Sequence, residues 1–223
     1  MKNNDSLRSR RAMLRGAFAV SASMLFARGV LAELLDRTPD VTEGPFYPYN
    51  KIPLENDNDL IVVNDSTTPA VGEISHVAGR VLDRNGNPIK DALVEIWQCD
   101  AKGVYLAESS RDRADKNFQG YGKFSTSSAG EYRFRTIKPV EYPGRPAPHI
   151  HYKITKGGRE LLTTQLFIRG YARNNQDGIY RGIRDPIDRE LCSADFRPVK
   201  DSKIGELAAK FDIVIGRTPA DPD

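Results

Sequence analysis

Cysteine is scarce in this chain. Its two cysteines, Cys99 and Cys192, are too few and too far apart for a thiolate zinc cluster or a disulfide framework. They read as buried thiols or as one bridge. Histidine is nearly as rare, with His76, His149 and His151 alone, and Trp97 is the single tryptophan. No uninterrupted apolar run reaches the length that spans a bilayer. Internal repeats and low-complexity tracts are missing too, so a solenoid is excluded. A basic excess is also lacking once the N-terminus is set apart. The whole chain has 33 basic and 30 acidic residues; residues 1–32 hold six of the basic ones and one acid, leaving 27 against 29. The remainder therefore carries no electrostatic signature of a nucleic-acid partner, and nothing in it suggests a membrane partner.

What is present begins with an export pattern. Ser9-Arg10-Arg11-Ala12-Met13-Leu14-Arg15 precedes a modest apolar segment, Gly16 to Ala27, and Val30-Leu31-Ala32 ends in small residues. Paired arginines before weak hydrophobicity are similar to a twin-arginine signal, which is an address and not an anchor. Such signals carry folded proteins, often with a cofactor already inserted. The expected organisation is a signal over 1–32, an extended arm over 33–70, a catalytic β-sandwich over 71–217 and a flexible tail over 218–223. The expected location is the periplasm of a bacterium or the medium outside it.

The arm is dense in proline and glycine, as in Thr42-Glu43-Gly44-Pro45-Phe46-Tyr47-Pro48-Tyr49, which excludes a regular helix. Its aromatic residues close a pocket or simply anchor the arm. Strand patterns follow at His76–Leu82, Ala92–Trp97, Phe124–Thr126, Tyr132–Ile137, His149–Ile154, Leu161–Ile168 and Phe211–Ile215. Asp83-Arg84-Asn85-Gly86-Asn87-Pro88 is a turn, and Ser128-Ala129-Gly130 reads as the bend of a hairpin. Helix signals are few: Asp185-Pro186 opens one towards Cys192, and Ile204–Lys210 suits a turn or two. Two long polar connections, Ala107–Gly120 and Arg169–Arg184, have the length of functional loops. The fold class is all-β: a β-sandwich of mixed strands with long active-site loops and few short helices.

The chemistry gathers in Tyr142-Pro143-Gly144-Arg145-Pro146-Ala147-Pro148-His149-Ile150-His151. Strand side chains alternate, so His149 and His151 share the face opposite Ile150, Tyr152 and Ile154 and can reach one metal ion. By itself a His-x-His pair is equally two packing histidines, and Tyr105 by itself is a packing tyrosine. Taken together, Tyr105, Tyr142, His149 and His151 supply two phenols and two imidazoles.

With these residues the chain resembles the intradiol ring-cleavage dioxygenases, the family that includes protocatechuate 3,4-dioxygenase and catechol 1,2-dioxygenase. The resemblance runs from about Thr42 to Ile215. It is carried by Thr42-Glu43-Gly44-Pro45-Phe46-Tyr47-Pro48, Gly79-Arg80-Val81, Ala92 to Gln98, Tyr132 to Pro139, Pro148-His149-Ile150-His151 and Leu162-Thr163-Thr164-Gln165-Leu166. It implies a mononuclear, non-haem Fe(III) centre with Tyr105, Tyr142, His149 and His151 as ligands. Hard phenolate donors suit that ion, whereas zinc prefers thiolate, imidazole and carboxylate. The implied reaction uses dioxygen to cleave a small aromatic diol between its hydroxylated carbons, giving a muconate-type diacid, with protocatechuate or a related catechol as substrate. Tyr142 would accept a substrate proton, Arg145 would stabilise charge building on the ring, and Gln165 would hydrogen-bond in the same pocket. A homo-oligomer is implied by analogy. Departures from the family pattern include a short Tyr142–His149 loop, Gly144 where tryptophan is common, and Arg145 preceding His149 by four residues in place of three.

Two other classes fit parts of the chain. A non-catalytic, transthyretin-like binding module suits Val77 to Ile96 but has no use for the Tyr/His set. A His-x-His copper or cupin site needs a third ligand, and His76 sits in no motif and reads as structural.

Overall fold

The computed structural model describes residues 34–63, 68–108 and 113–216. The expected signal over 1–32 and the tail over 218–223 lie outside the described residues. The chain divides into two units, Met1–Leu34 and Leu35–Asp223, and the second carries every element described. Ten strands form two sheets: β1 (Ile74–Asp83), β2 (Leu93–Trp97), β3 (Tyr121–Ser125), β4 (Glu131–Ile137), β5 (His149–Lys156), β6 (Arg159–Ile168), β7 (Ser193–Ala194), β8 (Arg197–Pro198), β9 (Leu207–Lys210) and β10 (Ile213–Ile215). In the first sheet β1 pairs antiparallel with β4 on one side and parallel with β9 and β10 on the other. The second sheet runs β3-β2-β5-β6-β7 and is antiparallel except for β6 and β7. The architecture is the expected all-β sandwich with few, short helices.

The alternating pattern explains the layers. Val77, Val81, Tyr132 and Phe134 of the first sheet meet Val94, Ile96, Ile150, Tyr152, Ile154, Leu162 and Leu166 of the second in one buried core. The opposite face of the second sheet carries Glu95, Trp97, His149, His151, Lys153, Gln165 and Phe167. These side chains are buried as well. A sheet in a two-layer sandwich has one covered face by default; here the arm and three loops cover the other.

The arm does more than lie across the domain. It is stitched down by Thr38 N–H to Val214 O (3.0 Å), Val41 N–H to Thr163 O (3.0 Å) and the Thr164 hydroxyl to Pro39 O (2.9 Å). Further along, Leu60 and Ile61 enter the main core with no exposure at all.

Three sequence expectations are corrected. Ile204–Lys210 is not a helical turn: Leu207 and Ala209 are buried while Ala208 and Lys210 are exposed, and β9 pairs with the open side of β1. A two-residue period with a free backbone edge beside it makes a strand. The Ser127–Gly130 bend is tight, with Gly130 N–H to Ser127 O at 2.9 Å, but β3 and β4 do not form a hairpin. They leave to opposite sheets, so that Phe124 and Phe134 meet edge-on across the core (6.4 Å). The connection Arg169–Arg184 is not wholly loop: it contains a 3-10 turn, Asn174–Gln176, and a short helix, Gly178–Gly182, capped by Asp177. Asp185 caps the expected helix, Pro186–Leu191. Both cysteines are buried and free, and His76 pairs with Glu206 (3.1 Å). No helix among the described residues is long and apolar enough to cross a membrane.

Among the described glycines, Gly79 has the least room for a side chain. A Cβ there would sit 1.9 Å from the Phe211 carbonyl oxygen, which also accepts the Tyr132 hydroxyl (2.5 Å). Gly79→Ala is expected to destabilise the fold by about 3 kcal/mol, measured as a lower urea midpoint with unchanged slope.

Candidate metal centre

β5 delivers both histidines to the outer face of the second sheet. Trp97 of β2 lies in register with His151 on one side, and Gln165 of β6 on the other. Tyr105 arrives from the loop after β2, where the Asp100 carboxylate accepts the N–H groups of Lys102 (2.8 Å), Val104 (3.0 Å) and Asp115 (2.6 Å) and so fixes its path. Tyr142 begins a turn closed by Arg145 N–H to Tyr142 O (2.9 Å). Proline at the second position and Gly144 at φ +88° in the third are the residues a type II turn requires. The glycine that departs from the family pattern is therefore demanded by its local conformation.

The structure brings together all four residues proposed from sequence as metal ligands. The Tyr105 hydroxyl lies 3.2 Å from His151 Nε2 and 3.4 Å from His149 Nε2. The Tyr142 ring centroid is 5.3 Å from that of Tyr105 and 5.7 Å from that of His149. Phe46 of the arm stacks on Tyr105 at 4.5 Å. His149 Nδ1–H donates to Ala147 O (2.7 Å), which leaves the Nε2 lone pair aimed at the cluster. His151 has no such tether: its Nδ1 is buried without a hydrogen-bond partner, and its ring is stacked on Trp97 (4.8 Å).

Protonation follows from burial. It pushes His149 down to about 3, with Arg145 adding to the effect, and His151 well below its ordinary value, so both imidazoles are neutral. Burial also raises Tyr105 well above the usual phenol range and raises Tyr142, although Arg145 opposes the shift at Tyr142. Without a cation the site is thus four neutral rings, two of them potential phenolates. That donor set, with Nε2 lone pairs convergent on a phenol oxygen, fits a hard cation able to displace phenol protons. No group of three or more His, Cys, Asp or Glu side chains that could hold a metal ion occurs among the described residues.

Arg145 and Gln165 also meet here. Arg145 donates from Nη2 to Gln165 Oε1 (2.8 Å) and from Nε to Asp177 Oδ2 (2.7 Å), while Gln165 Nε2 donates to Thr42 O of the arm (2.7 Å). Asp177 is the residue that sequence reasoning missed. Fully buried, it accepts from the Ile179 and Tyr180 N–H groups as a helix cap and pairs with Arg145. Burial alone would raise its carboxyl pKa, but Arg145 and the N–H groups of Tyr180 and Ala147 outweigh burial and hold it below the usual range. The sequence signal was an aspartate opening a short helix inside the long polar connection.

Beside Tyr142 opens a cavity of about 800 Å³ lined by Pro45, Phe46, Lys102, Arg113, Tyr142 and Pro143. A wider groove of about 990 Å³, around Ala78, Arg80, Arg133 and Lys210 on the first sheet, shares no residue with the donor set.

Asp177 has two separable jobs, as partner of Arg145 and as helix cap. Asp177→Asn keeps a good cap and loses the charge, whereas Asp177→Ala loses both. The alanine variant is expected to cost about 3–5 kcal/mol, and the asparagine variant about 1 kcal/mol less than that. Because the folded carboxyl is depressed, its contribution is present above the ordinary carboxylate range and lost as pH falls through the lowered value. Urea titrations between neutral and acid pH should show the wild-type advantage over Asp177→Asn shrinking in that direction.

Residues 42–216 match the Dioxygenase_C family of dioxygenases. The chain is 34% identical over 177 residues to the protocatechuate 3,4-dioxygenase beta chain of Burkholderia cepacia, covering 74% of each protein. It is 28% identical over 169 residues to the hydroxyquinol 1,2-dioxygenase of Nocardioides simplex, covering 68% of this chain but only 54% of that enzyme. Among solved structures, the dioxygenase domain of a dioxygenase carbohydrate-binding protein fusion from Streptomyces sp. SirexAA-E superposes with a TM-score of 0.61 at 29% identity, over 82% of this chain and 100% of that one. With that match across nearly all of the sandwich, the chain belongs to the intradiol ring-cleavage dioxygenases and is an enzyme of that class.

Proposed function

We propose that Tyr105, Tyr142, His149 and His151 hold one non-haem ferric ion, and that the enzyme cleaves protocatechuate or a closely related catechol between its hydroxylated carbons to a muconate-type diacid. The observation that carries this reading is the convergence of both Nε2 atoms on the Tyr105 oxygen, with Tyr142 alongside and a cavity opening at Tyr142. The chemistry supplied by ferric iron there is chelation of the diol and withdrawal of electron density from its ring, which opens a ring carbon to dioxygen.

The protein residues do the rest. Tyr142 stands where the donors meet the cavity, so its phenol oxygen is the acceptor for a substrate proton. Arg145, held from behind by Asp177 and Gln165, places fixed positive charge next to Tyr142 for the negative charge that builds on the ring. Phe46 and Pro45 wall the cavity. Lys102 and Arg113 line it as well, against one acid, Glu108, a basic excess that favours a substrate with an anionic substituent such as a carboxylate. The Burkholderia relative, a protocatechuate dioxygenase chain by name, supports the same choice.

The same reading includes residues 1–32 as a twin-arginine signal, the domain boundaries expected from sequence and a periplasmic or secreted enzyme. It also includes a homo-oligomeric assembly; relatives named as alpha and beta chains support assembly from several chains, not their identity.

Visible spectroscopy of protein purified with iron tests the centre. The expected result is one iron per chain and a red-brown tyrosinate-to-iron band that is lost or strongly weakened in Tyr105→Phe. Anaerobic addition of protocatechuate, catechol and hydroxyquinol in turn should shift the band, with protocatechuate saturating at the lowest concentration. A colourless protein with full iron occupancy would refute the two-tyrosinate site.

A further inference from the structure

The two histidines are supported in different ways. His149 is tethered by a hydrogen bond from Nδ1–H to Ala147 O, at 2.7 Å. His151, equally buried, has no hydrogen-bond partner for Nδ1. In its place it has the Trp97 indole, lying nearly parallel at 4.8 Å with an interplanar angle of 9°. Trp97 Nε1 is likewise buried without a partner, so neither ring is oriented by a polar contact through these atoms.

The arm also touches Trp97. Tyr47 meets the indole edge-on at 4.9 Å, and its hydroxyl donates to Glu95 Oε1 at 2.7 Å. The same carboxylate oxygen accepts the Tyr121 hydroxyl at 2.5 Å. Lys153 Nζ sits 3.8 Å above the Tyr47 ring and pairs with Glu43 of the arm. Glu95 and Lys153 face each other in register on β2 and β5, two positions before Trp97 and two after His151. A buried carboxylate and a buried ammonium in the middle of strands are unfavourable unless they are well partnered. Tyr121 and Glu43 partner them too, and both groups meet at one ring, that of Tyr47.

We propose that Trp97 is the positioning residue for His151, and that Glu95 and Lys153 act through Tyr47 to hold the indole in place. Stacking does for His151 what a hydrogen bond does for His149. The arm thereby becomes part of the apparatus that orients a ligand it does not itself supply. This inference rests on the proposed ferric reading of the Tyr/His set.

Iron retention and the tyrosinate-to-iron band test it, because a purely structural role would move neither in a folded variant. Trp97→Leu, Trp97→Phe and Tyr47→Phe are prepared with iron, their folding is checked by circular dichroism, and iron loss to a chelator is timed. Trp97→Leu is expected to lose iron about tenfold faster or more, as is typical when a ligand's outer support is removed, and to shift the band. Trp97→Phe, which restores a flat ring, should recover most of both properties. Tyr47→Phe keeps the ring but loses the Glu95 contact, and should fall between wild type and Trp97→Leu. If Trp97→Leu does not fold, Tyr47→Phe decides: wild-type iron loss and band in that variant overturn the clamp. A folded Trp97→Leu with wild-type iron loss and band overturns the positioning role while leaving the centre intact. A wild-type protein with no iron-dependent band overturns the underlying reading instead.

Discussion

The second sheet faces a problem that most sandwich sheets avoid. One of its faces packs on the first sheet, as apolar alternation requires. The other carries glutamate, lysine, glutamine, two histidines and a tryptophan, yet it too is shut away from water. Burying such groups is unfavourable unless each finds a partner, and the cover is built from pieces that bring those partners. Thr42 O receives Gln165, Glu43 pairs with Lys153, Tyr47 donates to Glu95, and Asp177 takes Arg145. The arm and the Arg169–Arg184 connection are therefore not decoration on a finished domain. They complete the electrostatics of a face that would otherwise be a liability.

That pairing leaves a remainder. Once Arg145, Lys153, Glu95 and Gln165 are matched, Tyr105, Tyr142 and the Nε2 atoms of His149 and His151 remain, partnered only by one another. Burial holds all four neutral. Two neutral imidazoles and two reluctant phenols contribute little to stability where they stand. Their convergence is explained by a ligand that turns phenol into phenolate, so the surroundings are arranged for a charge that arrives with the metal. The same low-dielectric setting strengthens Arg145 as a source of positive charge at the ring.

Much of this was legible in the residues. The alternation of Ile150, Tyr152 and Ile154 placed the two histidines together. Periodicity also located seven strands, β1 to β6 and β10, because each sends apolar side chains into the main core. What escaped was long-range. Whether the Ser127–Gly130 bend closes a hairpin or crosses between sheets depends on where Phe124 and Phe134 find core. Whether Leu207–Lys210 is helix or strand depends on the free edge of β1. Asp177 looked like loop composition because its partner, Arg145, is distant in sequence. Glu95 and Lys153 were visible as charges inside apolar strands, but their shared focus on Tyr47 needed the path of the arm.

The spacing of Arg145 shows why a motif can shift and leave its geometry intact. Counting back from His149, the arginine is one residue farther away than the family pattern has it. In a short side chain that offset would redirect the functional group. Arginine is long, and its fork takes direction from acceptors more than from its own Cα. The type II turn at Tyr142–Arg145 shortens the path, and Asp177 and Gln165 then fix two of the guanidinium nitrogens from different elements. The aim of Arg145 is thus set by a helix cap and a neighbouring strand. An insertion or deletion before the His pair can be absorbed as long as those two acceptors stay where the sheet and the Gly178–Gly182 helix put them.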